Sequence, residues 1–110
     1  MSVLFILLRT DLKWKTGPLA AQSAHAVSLL IHKYHDMMSD YLEQGYAMRK
    51  IVLGCSLKEM QECKENLQKD GILFCEWLEQ PENVATAIAI LPLNPEDRPA
   101  YLKSLKLFNK

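Results

Sequence analysis

Two stretches of this sequence hold side chains able to do acid–base or hydrolytic chemistry. The first runs from Arg9 through Asp11, Lys13 and Lys15 to Gln22 and His25. An imidazole exchanges protons near neutral pH, so a histidine close to a charged connector suits the activation or positioning of water. A solvated histidine on a helix surface has the same residue type, and type alone does not separate the two. The second stretch is Trp77-Leu78-Glu79-Gln80-Pro81-Glu82-Asn83, with Thr86 just beyond. Its two carboxylates, an amide and the hydroxyl could orient a water or hold a ribose. The proline and asparagine would equally serve an ordinary turn.

Arg9, Lys13 and Lys15 would form a phosphate-contacting patch if they met Lys103, Lys106 and Lys110 in space. Each such contact adds salt-dependent, sequence-blind affinity, and Trp14 offers an indole on which a base or sugar could stack. Without that meeting, they are solvated lysines on a turn and a terminal helix. Counted from His25, His32 and His35 fall at i+7 and i+10, beyond the i+3 or i+4 reach of a helical chelate. These two are read as a solvated polar stripe, and no metal is expected. Cys55, Cys63 and Cys75 are far apart with no C-x-x-C pair, which argues against a disulfide framework and a zinc site. Neither glycine-rich phosphate loop (G-x-G-x-x-G or G-x-x-x-x-G-K-[ST]) is present, nor is a G-x-S-x-G elbow.

The elements that must position these groups follow from periodicity and punctuation. Val3 to Leu8 is a continuous apolar run, the mark of a strand covered on both faces. After a charged connector, Thr16-Gly17-Pro18 opens a helix with Thr16 as its cap and Pro18 in its first turn. At about 100° per residue, Leu19, Ala20, Val27, Leu30, Ile31 and Tyr34 share one side of that helix. On this wheel His25 falls opposite them, pointing away from the core. A short second helix with Ser39 as cap is expected before Gly45, then a strand over Lys50 to Gly54. Ser56 and Glu59 spell a capping box. Leu57, Met60, Cys63 and Leu67 form the apolar stripe of the helix that follows, and Gly71 stops it. Strands are expected over Ile72 to Trp77 and Val84 to Leu91, joined by a polar connector from Leu78 to Asn83. A last helix would start from Asp97 and present Tyr101, Leu102, Leu105 and Phe108. Crossovers mixed with one hairpin-like pair imply an α/β fold with a mixed sheet.

A chain of 110 residues, 49% hydrophobic and 24% charged, makes one domain able to bury roughly two thirds of its unfolded surface. Its 13 basic and 13 acidic residues cancel, which excludes wholesale electrostatic capture of nucleic acid or membrane while leaving room for a local patch. The apolar N-terminus lacks a basic region and a small-residue cleavage site, and no run approaches the roughly 18 apolar residues of a membrane span. A cytoplasmic protein with no membrane partner is expected. Leu29 and Ala21 suggest an apolar patch that could serve a homodimer.

The run Arg9-Thr10-Asp11-Leu12-Lys13-Trp14, followed by Gly17-Pro18-Leu19-Ala20-Ala21-Gln22-Ser23-Ala24-His25-Ala26, resembles the first signature of the type II peptidyl-tRNA hydrolases. The elements follow in the same order along residues 1–110, and the Glu79–Asn83 connector with Thr86 points to a divergent branch. The resemblance implies an α/β domain whose four-stranded mixed sheet carries helices on both faces. It implies cofactor-free hydrolysis of the ester between a peptide and a tRNA's terminal ribose, with peptidyl-tRNA or tRNA as partner. By resemblance, His25, Gln22, Asp11 and Lys13 match the first motif and Thr86 a threonine of the last strand. The pattern departs at two points. Pro18 stands where the family keeps a lysine after the glycine, and the Asp-Ala-Gly turn gives way to a shorter connector holding Glu79. On this reading His25, Glu79 and Thr86 are the candidate catalytic residues. His25 activates or positions water, and Glu79 replaces the missing aspartate. Thr86 or Asn83 bonds substrate or oxyanion, and Lys13 or Lys15 covers for the lysine. Asp11, Lys13, Lys15, Gln22 and Asn83 are then the substrate-binding set. A catalytically lapsed module that binds tRNA or protein on the same fold is the alternative.

Overall fold

The apolar run near the N-terminus forms strand β1 (Leu4–Arg9), buried along its whole length in a computed structural model that describes residues 1–109. Strand β2 (Lys50–Cys55) lies parallel to it, with Leu4 opposite Lys50 and Arg9 opposite Cys55. Strands β3 (Phe74–Glu79) and β4 (Val84–Ile90) form a hairpin, and β4 runs antiparallel to β1. The sheet order β2-β1-β4-β3 is the expected four-stranded mixed sheet.

Helix α1 (Thr16–Tyr34) covers one face of the sheet, where Leu4, Ile6, Leu8, Ala87 and Ala89 meet Ala26 and Leu30. The short helix α2 (Ser39–Leu42) adds buried Tyr41 to that core. Helix α3 (Leu57–Lys69) and the one-turn α4 (Ala100–Lys103) cover the other face, where Phe5, Leu7, Leu53, Ile88 and Ile90 meet Met60, Leu67 and Leu102. Helices therefore lie on both faces. The capping box forms as its spacing predicts: Glu59 N–H donates to Ser56 Oγ, and Ser56 N–H donates to the Glu59 carboxylate. Gly71 takes φ +69° just past α3, a conformation that favours glycine.

Several expected details differ. Thr16 is the first helical residue of α1 rather than its cap, and Lys15 precedes it without a side-chain cap bond. Ser39 likewise sits inside α2 after Met38. Asp97 ends a 3-10 turn (Pro95–Asp97), and Pro99 precedes α4. Strand β3 continues to Glu79, because the hairpin pairs Leu78 with Ala85 and Glu79 with Val84. Residues after α4 run beside β2: the Gly54 N–H donates to the Lys106 carbonyl, and the Phe108 N–H to that of Val52. Phe108 thus leaves the apolar side of the last helix and packs on the α1 face. A Cβ on Gly54 would come within 2.7 Å of Thr10 Cγ2 and 3.3 Å of Phe108 Cα, so the bare residue is what admits this terminal strap.

The buried arc of α1 also differs from the expected one. Its buried residues are Leu19, Gln22, Ala26 and Leu30, while Ala20 is exposed. A polar Gln22 inside the stripe rotates the buried arc toward His25, which becomes a flank position rather than the opposite pole. Leu29 is half-buried against the core, leaving Ala21 as the exposed part of the expected apolar patch. The three cysteines are free and buried, and burial pushes the Cys55 thiol up to about 12. Among the described residues, no helix is long and apolar enough to cross a membrane.

Candidate functional site

The site is built where α1 crosses the β3–β4 hairpin. In a regular strand successive side chains alternate between faces, and Ile88 and Ile90 face α3 while Ala87 and Ala89 face α1. The register breaks below Ala87. Trp77 pairs with Ala87 and Leu78 with Ala85, which leaves Thr86 as an extra, unpaired residue of β4. This bulge turns Thr86 toward α1 together with Ala87, as bulges next to functional sites commonly re-aim a side chain. Thr86 is fully buried, and its hydroxyl donates to Gln22 Oε1 at 2.8 Å.

Gln22, only 1% exposed, engages both amide hydrogens and its oxygen with three bonds. Its Nε2 donates to the Pro18 carbonyl one turn back at 3.0 Å and to Glu79 Oε2 at 3.3 Å. The other carboxylate oxygen, Glu79 Oε1, accepts from Trp77 Nε1 at 2.9 Å. Trp77 in turn stacks on His25, with ring centroids 4.6 Å apart and planes inclined by 20°. A continuous chain therefore links buried Thr86 through Gln22, Glu79 and Trp77 to the half-buried imidazole. The Trp77 N–H, then the Gln22 amide, hold the Glu79 carboxyl below its usual range, with the charge of His25 adding to them against a partial loss of solvent.

Other candidates lie outside this chain. The Asp11 carboxylate accepts from Arg9 Nε at 2.9 Å and from the Leu57 N–H at the start of α3 at 3.0 Å. The Arg9 guanidinium, before burial and the Leu57 N–H, sets its pKa, and the net direction is down. Arg9 also donates to the Ala85 carbonyl at 3.1 Å and is 8% exposed. It ties β1 to β4 and does not join a surface cation patch. Lys13 and Lys15 are exposed, without an ion pair among the described residues. Lys106 reaches the β1 end, sharing a cleft with Thr10 and Gly54, whereas Lys110 lies outside the described residues. Asn83 takes φ 58° in the hairpin turn and accepts from Gln80 Nε2 at 3.0 Å, the ordinary duty of a turn asparagine. His32 and His35 are exposed. Among the described residues no three metal-ligating side chains converge. An apolar groove of about 370 Å³ opens on the far side of α1, lined by Leu8, Leu19, Val52 and Phe108, away from the polar chain.

Trp77 is the residue that sequence reasoning left without a role. Its signal was present in the two-residue step to Glu79, which places both side chains on one face once β3 is known to reach that far.

The chain belongs to the peptidyl-tRNA hydrolase PTH2 family, and its four-stranded mixed sheet with helices on both faces is consistent with that family's fold. Residues 2–108 match the family described as "Peptidyl-tRNA hydrolase PTH2". The chain is 40% identical over 114 aligned residues to the mouse protein named "Putative peptidyl-tRNA hydrolase PTRHD1", covering 96% of this chain and 81% of that one. The human protein of the same name is 39% identical over the same shares.

Proposed function

We propose that this protein hydrolyses the ester joining a peptide, or an N-blocked amino acid, to the terminal ribose of a tRNA, with no cofactor. The observation that carries the reading is the chain Thr86–Gln22–Glu79–Trp77–His25, in which every buried polar group is engaged and the imidazole is held at the open end. His25 takes a proton from water as the water attacks the ester carbonyl, then returns it to the ribose oxygen as that bond breaks. Glu79 accepts two hydrogen bonds in its charged form, which makes it a poor proton acceptor. It acts by charge instead, favouring the imidazolium that forms beside it. Thr86 is too deeply buried to touch a substrate and positions Gln22. Asp11 fixes the connector that carries Lys13 and Lys15, whose exposed ammonium groups meet tRNA phosphates. Asn83 stays in the hairpin turn, where it accepts from Gln80. The cytoplasm, where its substrate is made, is the compartment this reading implies.

A second reading, a tRNA-binding module without turnover, is favoured by Pro18, which contributes only a carbonyl where the family keeps a lysine. One assay separates the two. Native protein should release tRNA from N-blocked aminoacyl-tRNA, and His25→Ala should be slower by about 100-fold or more. Equal rates would remove His25 from the mechanism. Saturable, salt-sensitive tRNA binding with no cleavage above background would establish the second reading.

A further inference from the structure

We infer that Trp77 is the positioning residue of this site: its ring holds the His25 imidazole by stacking while its N–H holds the Glu79 carboxylate. The role in turnover rests on the ester-hydrolase reading above, whereas the geometry stands without it. His25 rises from α1 and Glu79 from β3, and among the described residues no direct hydrogen bond joins them. Their relative placement is therefore set through an intermediary. Two groups bridge the helix and the strand here: the Gln22 amide, at 3.3 Å from Glu79, and the indole, which contacts both partners at once.

The indole suits this task for three physical reasons. It is rigid beyond two torsions, so fixing one end fixes the other. Its donor lies at the ring edge and its π-face is perpendicular to that direction, so the two partners do not compete for one atom. The face of an indole also attracts a cation, so the stack strengthens as the imidazole gains a proton while Glu79 remains anionic on the same ring. Trp77 is itself anchored, half-buried on the α1-side core and paired with Ala87 just above the bulge that aims Thr86. Bulge, indole and imidazole thus form one unit, and a displacement of about 1 Å at such a site can cost about 100-fold in rate.

The test uses the full chain, with Trp77→Phe keeping a stacking ring and losing the N–H, and Trp77→Ala losing both. With N-blocked aminoacyl-tRNA, kcat should fall about tenfold in Trp77→Phe and about 100-fold in Trp77→Ala, with KM within about twofold of native. Two NMR readouts need no turnover. The His25 Cε1–H resonance should lose its ring-current shift in Trp77→Ala and keep most of it in Trp77→Phe. The Glu79 carboxylate carbon should titrate at higher pH in both variants than in the native chain. If native protein cleaves nothing, the hydrolase reading falls, and these two signals still decide the positioning claim. Movement of both supports it. Native kcat in both variants, or unmoved His25 and Glu79 signals, overturns it.

Discussion

The two faces of the sheet are built from different materials. Beneath α3 and α4 the buried core is Val3, Phe5, Leu7, Leu53, Met60, Leu67, Ile88, Ile90 and Leu102, with Cys55 and Cys63 as weakly polar members. Beneath α1 the core also holds Leu4, Ile6, Leu8 and Leu30, but β4 presents only small residues there, Ala87 and Ala89, and the helix adds Ala26 and a buried Gln22. The first face stabilises the fold through apolar burial. The second spends part of its core on an amide and a hydroxyl that must satisfy each other, because an unpaired buried polar group costs about 1–3 kcal/mol. Apolar burial alone gives no reason to keep Gln22 and Thr86 there. Their bonds lead outward to Glu79, Trp77 and His25, so the costlier face is the one that positions the candidate site.

That contrast can be broken from either side. Leu67→Ala on the α3 face should lower stability by about 2–5 kcal/mol in urea denaturation, while cleavage per folded molecule stays near native. A matching fall in specific activity would mean that the two faces are not separable. Thr86→Val on the α1 face keeps the shape and removes the hydroxyl, leaving Gln22 Oε1 without its donor. Stability should drop by about 1–3 kcal/mol, and the tRNA-ester cleavage rate should fall with it. A variant of native rate would show that Gln22 holds Glu79 without help from the Thr86 hydroxyl. The smallest effect is expected at the Asp11 clamp between the faces. Arg9 depresses the Asp11 carboxyl in the folded state, so its stabilisation is present above the unfolded carboxylate value, about 3.9, and is lost as pH falls through the lower folded one. Thermal melts between neutral and acidic pH should therefore lose less stability in Asp11→Asn than in the native chain, and parallel curves would dismiss the clamp as a source of acid sensitivity.

Much of this architecture is legible in local chemistry. The Val3–Leu8 run, the Ser56–Glu59 capping box and Gly71 each act through their own neighbours, and β1, α3 and its stop lie where those signals put them. The first motif likewise placed Gln22 and His25 on one helix at fixed spacing. Helix caps were less legible, since Thr16, Ser39 and Asp97 are capable residues that the chain does not use as caps.

Local rules also stopped short at the hairpin. A period-2 reading sends Thr86 to the α3 face, and only the bulge between two paired strands reverses it. Arg9 reads as a surface cation until β4 offers it the Ala85 carbonyl. A wheel of apolar residues alone points His25 away from the core, because Gln22 is a polar type. It becomes a core residue once Thr86 and Glu79, 64 and 57 positions along the chain, supply its partners. By itself the sequence determined which segments bury their apolar residues and which histidine has a family motif around it. The tertiary structure decided what that histidine touches, because hydrogen bonds and ring contacts between distant residues are satisfied only when the sheet closes.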